Sequence, residues 1–422
     1  MTAAETTDRL RWVAVPPVAD VLRVLNGDGE ETRVVGGAVR NSLMGEPHGD
    51  IDLATTASPD DVMRRATAAG FKAVPTGIEH GTVTIVAQGH PFEVTTLRED
   101  VETFGRKARV AFGRDWRADA QRRDFTFNAL SVSPDGTVHD YVDGLVDLQA
   151  RRVRFIGDPL TRIAEDYLRI LRFFRFHSLY GDGESDAAGL HACIIARDGL
   201  RGLSRERVRM EMVKLVVAPF AASTLTIMSD AGILTLVLGG VVQLASLSRV
   251  AAIEAALGIP PDPMRRLGAL AVQIAEDADR LNERLRLANA EHHRLRGMAE
   301  GWRTLSPTMS EQGRRALLYR LGADSFTDRV LLAWARAGAS ADDTHWREMA
   351  TLPQRWPVPS FPLRAADFIS RGVEKGPPLG AAMRAAEAAW IAEDFPAPGA
   401  ALEAIAESVA TTHRAAPPAV EA

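Results

Sequence analysis

A chain of 422 residues has room for roughly two to four domains and a sizeable core, and 46% hydrophobic with 25% charged residues is the balance of an ordinary globular protein. The net charge of -5 excludes binding nucleic acid through overall basicity, so such a partner must meet a local basic patch. The one cysteine, Cys193, excludes an internal disulfide framework and a cysteine-rich metal centre, which fits a reducing, cytoplasmic setting.

The amino-terminal MTAAETTDRL is acidic and lacks the apolar stretch of a signal peptide. Val18, Val21, Leu22 and Leu25 recur at helical spacing and predict an amphipathic helix over 18–25. Arg33 to Val35 reads as a strand entering the glycine pair Gly36-Gly37, with a helix from Val39 to Met44 and a second strand from Asp50 to Ala54. Ser58 followed by Pro59 has the signature of a helix start, and that helix runs to Gly70. Val74-Pro75, Gly81 to Ala87 and Pro91 to Thr96 predict a meander of strands, with Glu93 on the last. Arg98 to Trp116 has no period and reads as a mobile loop; Ala118 to Leu130 reads as a helix carrying RRDFTFNAL. Val132, Val138 to Tyr141 and Val153 to Phe155 are short strands.

Residues 1–156 are thus expected to be α+β with a mostly antiparallel sheet. Beyond Pro159 the strand signals almost vanish, and three helical portions follow: 157–258, 259–352 and 353–422. The later breaks fall at Gly258 to Pro263 and in Leu352 to Pro362, whose four prolines forbid a continuous helix. Ala231 to Leu247 is the most membrane-like run, but Gly239-Gly240, Thr235 and Gln243 predict a buried helix, a break and another helix, so no membrane is expected. THRAAPPAVEA near the end reads as a frayed tail.

The chemistry concentrates in VVGGAVRNSLMGEPHGDIDLA, Val34 to Ala54. Gly36 and Gly37 let backbone N–H groups approach a phosphate, and the guanidinium of Arg40 matches phosphate oxygens. Asp50 and Asp52, two apart on a strand, would project from one face, a pairing that suits Mg²⁺. An isolated Asp-x-Asp is usually a solvated turn; inside an apolar strand, two such charges need a cation. Arg122, Arg123, Asp124 and Asn128 form a second cluster, with Arg123 facing phosphate and Asp124 a ribose hydroxyl, or else a salt-bridged helix. On EDYLRILRFFRF, Asp166, Arg169, Arg172 and Arg175 recur every three residues but wind round the helix. Asp166 and Arg169 can share a nucleobase edge; Arg172 and Arg175 meet phosphates or hold the helix to its neighbours. LSRERVRMEMVK, capped by Ser204, is either an RNA backbone track or a brace for the preceding helix. His48, His80, His139 and His292-His293 lack metal-ligand spacing.

GGAVRN, DID, FEVTTLRED, RRDFTFNAL, DYVDGLVDL, EDYLRILRFFRF and LSRERVRMEM, in this order, resemble the class II tRNA nucleotidyltransferases, the CCA-adding enzymes, and their bacterial poly(A) polymerase relatives. The resemblance implies a nucleotidyltransferase head of the polymerase β type, followed by all-helical neck, body and tail in a hooked shape that holds tRNA. It implies Mg²⁺ on Asp50 and Asp52, with Glu93 a third carboxylate, and the triphosphate on Gly37, Arg40 and Arg123, with Gly36 in the nucleotide site. Asp124 and Asn128 join the nucleotide site, Asp166 and Arg169 act as the amino-acid template for CTP and then ATP, and Arg172 and Arg175 complete the pocket. The loop Arg98 to Trp116 corresponds to the family's flexible loop. The implied reaction is two-metal transfer of CMP and AMP to the tRNA 3′ end with release of pyrophosphate. Poly(A) polymerase, a CC- or A-adding partial enzyme, and a non-catalytic RNA-binding protein on the same scaffold are the alternatives. No protein partner is implied.

Overall fold

The computed structural model describes residues 3–77, 79, 81–104, 107–181 and 183–414, with the backbone alone for 3, 4, 99–104 and 107–111. His80 and the last residues of the expected tail lie outside the described residues. The chain divides into two compact units, one up to Gly239 together with Arg284–Arg286, the other Gly240–Glu283 and Leu287 onward. The 156/157 and 352/353 junctions fall within these units.

In the first unit, α1 (Ala3–Leu10) and α2 (Val18–Leu25) precede β1 (Thr32–Val35), α3 (Gly37–Met44), β2 (Asp52–Thr55) and α4 (Pro59–Ala68). The Ser58 hydroxyl accepts from the Asp61 N–H and Pro59 sits at the helix start, as the sequence predicts. Strands β3 (Lys72–Gly77), β4 (Thr82–Ala87), β5 (His90–Thr96), β6 (Arg98–Phe104) and β7 (Lys107–Phe112) follow, then α5 (Trp116–Gln121), β8 (Ser131–Val132), β9 (Val138–His139) and α6 (Gly144–Gln149). The rest of the unit is helical: α7 (Pro159–Glu165), α8 (Leu168–Tyr180), α9 (Ala187–Ala196), α10 (Arg205–Leu215), α11 (Ala221–Asp230) and α12 (Ile233–Leu238). The architecture is α+β, as expected.

Seven strands form one sheet in the order β3-β4-β5-β2-β1-β8-β9, antiparallel except for the parallel pair β2 and β5. The parallel pair places Asp52 beside Glu93, and the antiparallel pair places Asp52 beside Val35. Residues paired across a sheet share a face, so a row of two carboxylates lies next to the strand end that enters the glycine turn. Val34, Leu53, Phe92 and Val94 are buried on the other face. Beneath the carboxylate row, Val35, Ala54, Leu97 and Trp116 form a small apolar cluster.

Four sequence expectations are corrected. The strand expected from Asp50 starts at Asp52, where pairing with both β1 and β5 begins; on the β1 side the chain beyond Val35 has already turned into α3. The expected loop at 98–116 is the hairpin β6–β7, and a register shift between Asp100 and Glu102 is what hides the period of two. The helix expected to reach Leu130 stops at Gln121. Phe125, fully buried, instead bridges Phe155, Thr126 N–H donates to Arg154 C=O at 3.1 Å, and only a 3₁₀ turn remains over Thr126–Asn128. The helix expected across EDYLRILRFFRF breaks at Asp166, whose φ of -154° is extended and whose carboxylate caps the Leu168 N–H at 3.1 Å.

Helix α8 is fastened to this region by aromatic contact. Phe173 stacks on Phe155 with centroids 5.6 Å apart, and Phe176 meets Phe125 edge-on at 5.4 Å. Among the described residues no helix is long and apolar enough to cross a membrane. Leu238 ends α12, Gly239 adopts φ +74°, and the next helix opens at Leu244, as expected for a Gly-broken pair.

The second unit is helical. The helices Ala365–Ile369, Pro377–Ala392 and Ala400–His413 enclose Phe368, Ala382, Trp390 and Ala406. Elsewhere in it, Asp328 accepts from Arg265 Nε at 2.9 Å and from Arg294 Nε at 2.7 Å, and Glu254 accepts from Arg265 at 2.8 Å and Arg266 at 2.8 Å. Asp328 and Glu254 are each 1% exposed, so their charges are tenable only as a complete set. Asp328→Ala is expected to destabilise the protein by about 3–5 kcal/mol, since it breaks a buried charge network and leaves Arg265 with Glu254 alone and Arg294 with Asp262 alone; chemical denaturation checks this, and a loss under about 1 kcal/mol would contradict it.

Candidate active site

A cavity of about 490 Å³ opens where the glycine turn, β2, the segment after α5 and the start of α8 converge. Gly36 has φ +71° and ψ -125°, a conformation for glycine alone, and it caps α3. A Cβ at Gly36 would stand 3.5 Å from Arg123 Nη1, and one at Gly37 3.6 Å from Arg40 Nη2. The Gly36 N–H is taken by the Leu130 carbonyl at 3.2 Å, so the turn brings the start of α3 at Gly37 beside two guanidinium groups, an arrangement suited to anionic oxygens.

Arg40 is buried, with its guanidinium 4.5 Å from the Tyr180 ring and 5.3 Å from Phe176. Its Nε and Nη2 donate to Asn41 Oδ1 at 3.1 and 2.8 Å, and Nη1 donates to Asn128. Three of the five N–H groups of an arginine are thus committed, and the position of Arg40 is fixed before any ligand arrives. Burial lowers its pKa from the ordinary arginine value.

Asp52 lines the cavity, while Asp50 lines an adjoining cleft. The Asp52 carboxyl is pushed above the usual range by burial, by the neighbouring Glu93 carboxylate and by Asp50, with Arg123 opposing. Among the described residues no three acidic, histidine or cysteine side chains already converge as a closed metal cage. The observed crowding of carboxylates still fits Mg²⁺, which binds through one or two carboxylates and takes its other oxygens from phosphates and water.

Asp124 joins both sides of the cavity. Its Oδ1 accepts from the Phe125 N–H at 2.9 Å and from Asn128 Nδ2 at 3.1 Å, and its Oδ2 accepts from Arg172 Nε at 2.7 Å. Burial works to raise the Asp124 pKa, but Arg172 and these hydrogen bonds hold it below the usual carboxylate range. A depressed folded-state value gives stability that is present above the ordinary carboxylate range and lost as pH falls through the folded value. Asp124→Asn is therefore expected to cost roughly 1–3 kcal/mol near neutral pH, the difference shrinking below about pH 4. Thermal melting against pH checks this; a difference that does not change with pH would contradict it.

Arg123 is held by Asp119, with Nη2 to Oδ2 at 3.2 Å, and Asp119 also takes Arg122. Asp166 Oδ2 accepts from Arg207 Nη2 at 2.6 Å, and Arg169 Nη1 donates to the Arg162 carbonyl at 2.5 Å and to Glu165. Asp166 and Arg169 both line the cavity but have separate partners. Arg175 does not line it: Nε donates to Glu211 and the guanidinium covers the Phe176 ring at 4.1 Å. Glu211 of α10 thus holds Arg175 in the second of the two roles open to it, fastening α8 to a neighbouring helix beside the cavity-lining Phe176.

Arg122 of the second cluster lines the cavity, as do Arg207, Phe176 and Leu168, and Asp119 supports it, though sequence reasoning did not single out these last four as site residues. Asp119 was legible as an i, i+3, i+4 partner of Arg122 and Arg123. Arg207 carries no such local signal, since its partner lies 41 residues upstream.

The Poly A polymerase head domain family matches residues 32–154. CCA tRNA nucleotidyltransferase 1, mitochondrial, of Mus musculus is 33% identical over 367 residues, which span 86% of this chain and 83% of the relative. The CCA-adding enzyme of Geobacillus thermodenitrificans is 41% identical over 218 residues, 51% of this chain and 52% of that one. The crystal structure of Bacillus stearothermophilus CCA-adding enzyme in complex with CTP superposes with a TM-score of 0.73 at 27% identity, covering 90% of this chain and 93% of that one. A similarity that runs through both the sheet and the helical remainder, on a chain whose glycine turn, carboxylate row and arginine cluster meet in one cavity, means that the chain belongs to the class II CCA tRNA nucleotidyltransferase and poly(A) polymerase family.

Proposed function

We propose that this chain transfers CMP and then AMP from CTP and ATP to the 3′ end of tRNA, building or repairing CCA and releasing pyrophosphate. The observation that carries the reading is that one cavity holds Asp52 and the glycine turn together with Asp166 and Arg169. Asp52, with Asp50 and Glu93 beside it, would hold Mg²⁺, which when bound neutralises triphosphate charge and makes the acceptor 3′-hydroxyl a better nucleophile. The start of α3 at Gly37, with Arg40 and Arg123, holds the triphosphate, and Gly36, whose N–H is taken by the Leu130 carbonyl, shapes the turn. Asp124, fixed by Arg172 and Asn128, faces the ribose. The bond from the acceptor oxygen to the α-phosphorus forms as the bond to pyrophosphate breaks, with the two oxygens in line.

Cytosine and adenine each present an exocyclic amine donor beside a ring nitrogen acceptor, while guanine and uracil present a carbonyl in the amine's place. A carboxylate accepts from that amine and a guanidinium donates to that nitrogen, so Asp166 and Arg169 suit C and A together. The Asp166 carboxylate keeps lone pairs beyond those used by Arg207 and the Leu168 N–H. The single cysteine is buried, which supports a reducing, cytoplasmic site of action.

Poly(A) addition is the second reading, because the head-domain match at 32–154 is to a family described by that activity. A retired, non-catalytic scaffold is separated from both by one assay. With tRNA lacking its 3′ end, CTP and Mg²⁺, pyrophosphate release is expected at catalytic turnover; its absence under all four nucleotides would leave only a binding function.

A further inference from the structure

A cleft of about 360 Å³ adjoins the nucleotide cavity at the end of the sheet where β2 and β5 begin, lined in part by Trp12, His48, Asp50, Ile51, His90 and Phe92. We infer that this cleft seats the 3′-terminal nucleobase of the acceptor RNA, stacked on the Trp12–His48 pair. The inference rests on the transfer reading above and adds the acceptor's position to it.

Three observations carry it. First, Asp50 lines this cleft and Asp52 the cavity, so the two carboxylates of one motif face two compartments. In-line transfer needs the acceptor hydroxyl and the departing pyrophosphate on opposite sides of the α-phosphorus. With the triphosphate held at the glycine turn and Arg123, the acceptor approaches past the carboxylates, from the side on which Asp50 stands. Second, the cleft holds a fixed aromatic platform. Trp12 Nε1 donates to Ser42 Oγ at 2.9 Å, the Trp12 and His48 rings lie 4.7 Å apart and inclined by 33°, and His48 is exposed. Third, its lining contains histidine, proline, aromatic and aliphatic side chains but neither Arg nor Lys, which suits a base more than a phosphate.

The growing end presents the tRNA's own last base at the first addition and a cytosine at the next two, so its seat has to accept more than one base. Stacking meets that need, because every base has a π-face.

The test measures KM for a tRNA lacking its 3′ end and, separately, KM for CTP. Loss of one stacked base corresponds to about tenfold weaker acceptor binding, so His48→Ala and Trp12→Ala are expected to raise the acceptor KM about tenfold and leave the CTP KM unchanged. His48 sits on an exposed turn, so its replacement keeps the fold even if loss of the Trp12–Ser42 bond does not. His48→Phe, which restores a ring, is expected to return the acceptor KM to that of the unaltered chain, and acceptors differing only in their last base are expected to respond alike. An unchanged acceptor KM in His48→Ala would overturn the inference, as would an equal rise in both KM values or failure of His48→Phe to rescue. Absence of transfer by the unaltered chain would overturn the reading beneath it, and that is seen before any variant is compared.

Discussion

Asp52→Ala is expected to reduce nucleotide transfer by on the order of a thousandfold or more, because it removes the carboxylate on which several kcal/mol of charge stabilisation at the reacting phosphate depend. The fold is expected to survive, since Asp52 is the first residue of β2 and its backbone pairing with Val35 and Glu93 does not need its side chain. The electrostatics give a second readout that does not depend on activity. Burial, Glu93 and Asp50 hold the Asp52 pKa above its ordinary value, so the folded chain binds its proton more tightly than the unfolded chain does. Stability is therefore lost as pH rises through the interval between the ordinary and the raised values. Asp52→Asn is expected to raise the melting temperature near neutral pH, with the gain vanishing at pH values below the ordinary carboxylate range. Mg²⁺ is expected to raise the melting temperature of the unaltered chain and to do so much less in the variant. Full transfer by Asp52→Ala, or a neutral-pH melting temperature lower in Asp52→Asn, would contradict the placement of this carboxylate.

Asp166→Ala carries the second large expected effect, on choice of base. Asp166 sits between two helices in an extended conformation, tied to the Leu168 N–H on one oxygen and to Arg207 on the other. Its removal takes away the acceptor proposed for an exocyclic amine and releases Arg207 from its partner. Loss of a charge-assisted hydrogen bond is worth about 1.5–3 kcal/mol, so discrimination of CTP and ATP against UTP and GTP is expected to fall roughly ten- to hundredfold. Affinity for the triphosphate is expected to hold, because Arg123 is held by Asp119 and the Asn128 carbonyl and not by Asp166. Measurement of kcat/KM for each of the four nucleotides separates the two effects. Unchanged selectivity would refute Asp166 as a base-reading residue, and a uniform loss for all four nucleotides would make it a merely structural one.

The sequence made legible those parts of the site that depend on local chemistry. Gly36, Asp52, Arg123 and Asp124 declare themselves by residue type and spacing, and the sheet register then brings Glu93 beside Asp52 without any local signal of its own. The amphipathic helix at 18–25 and the capped start at Ser58 were equally plain. What was hidden depends on long-range competition. The helical pattern through RRDFTFNAL gave way because Phe125 is better buried as an extended residue against Phe155. The continuous helix through EDYLRILRFFRF failed because a side chain, Asp166, outbids the backbone for the Leu168 N–H. The hairpin at 98–112 was masked by its bulge. Charge pairs behaved likewise: three arginines at regular spacing on one helix went to Glu165, Asp124 and Glu211, and only the first of these acids is near in sequence.

The most direct test of the proposed activity is the composition of the added end. A tRNA lacking its 3′ CCA is incubated with the enzyme, Mg²⁺, CTP and ATP, and the product is weighed by mass spectrometry. The account predicts addition of two C and one A followed by arrest. A lengthening run of A, or growth with ATP alone, would contradict it and assign the chain to poly(A) addition.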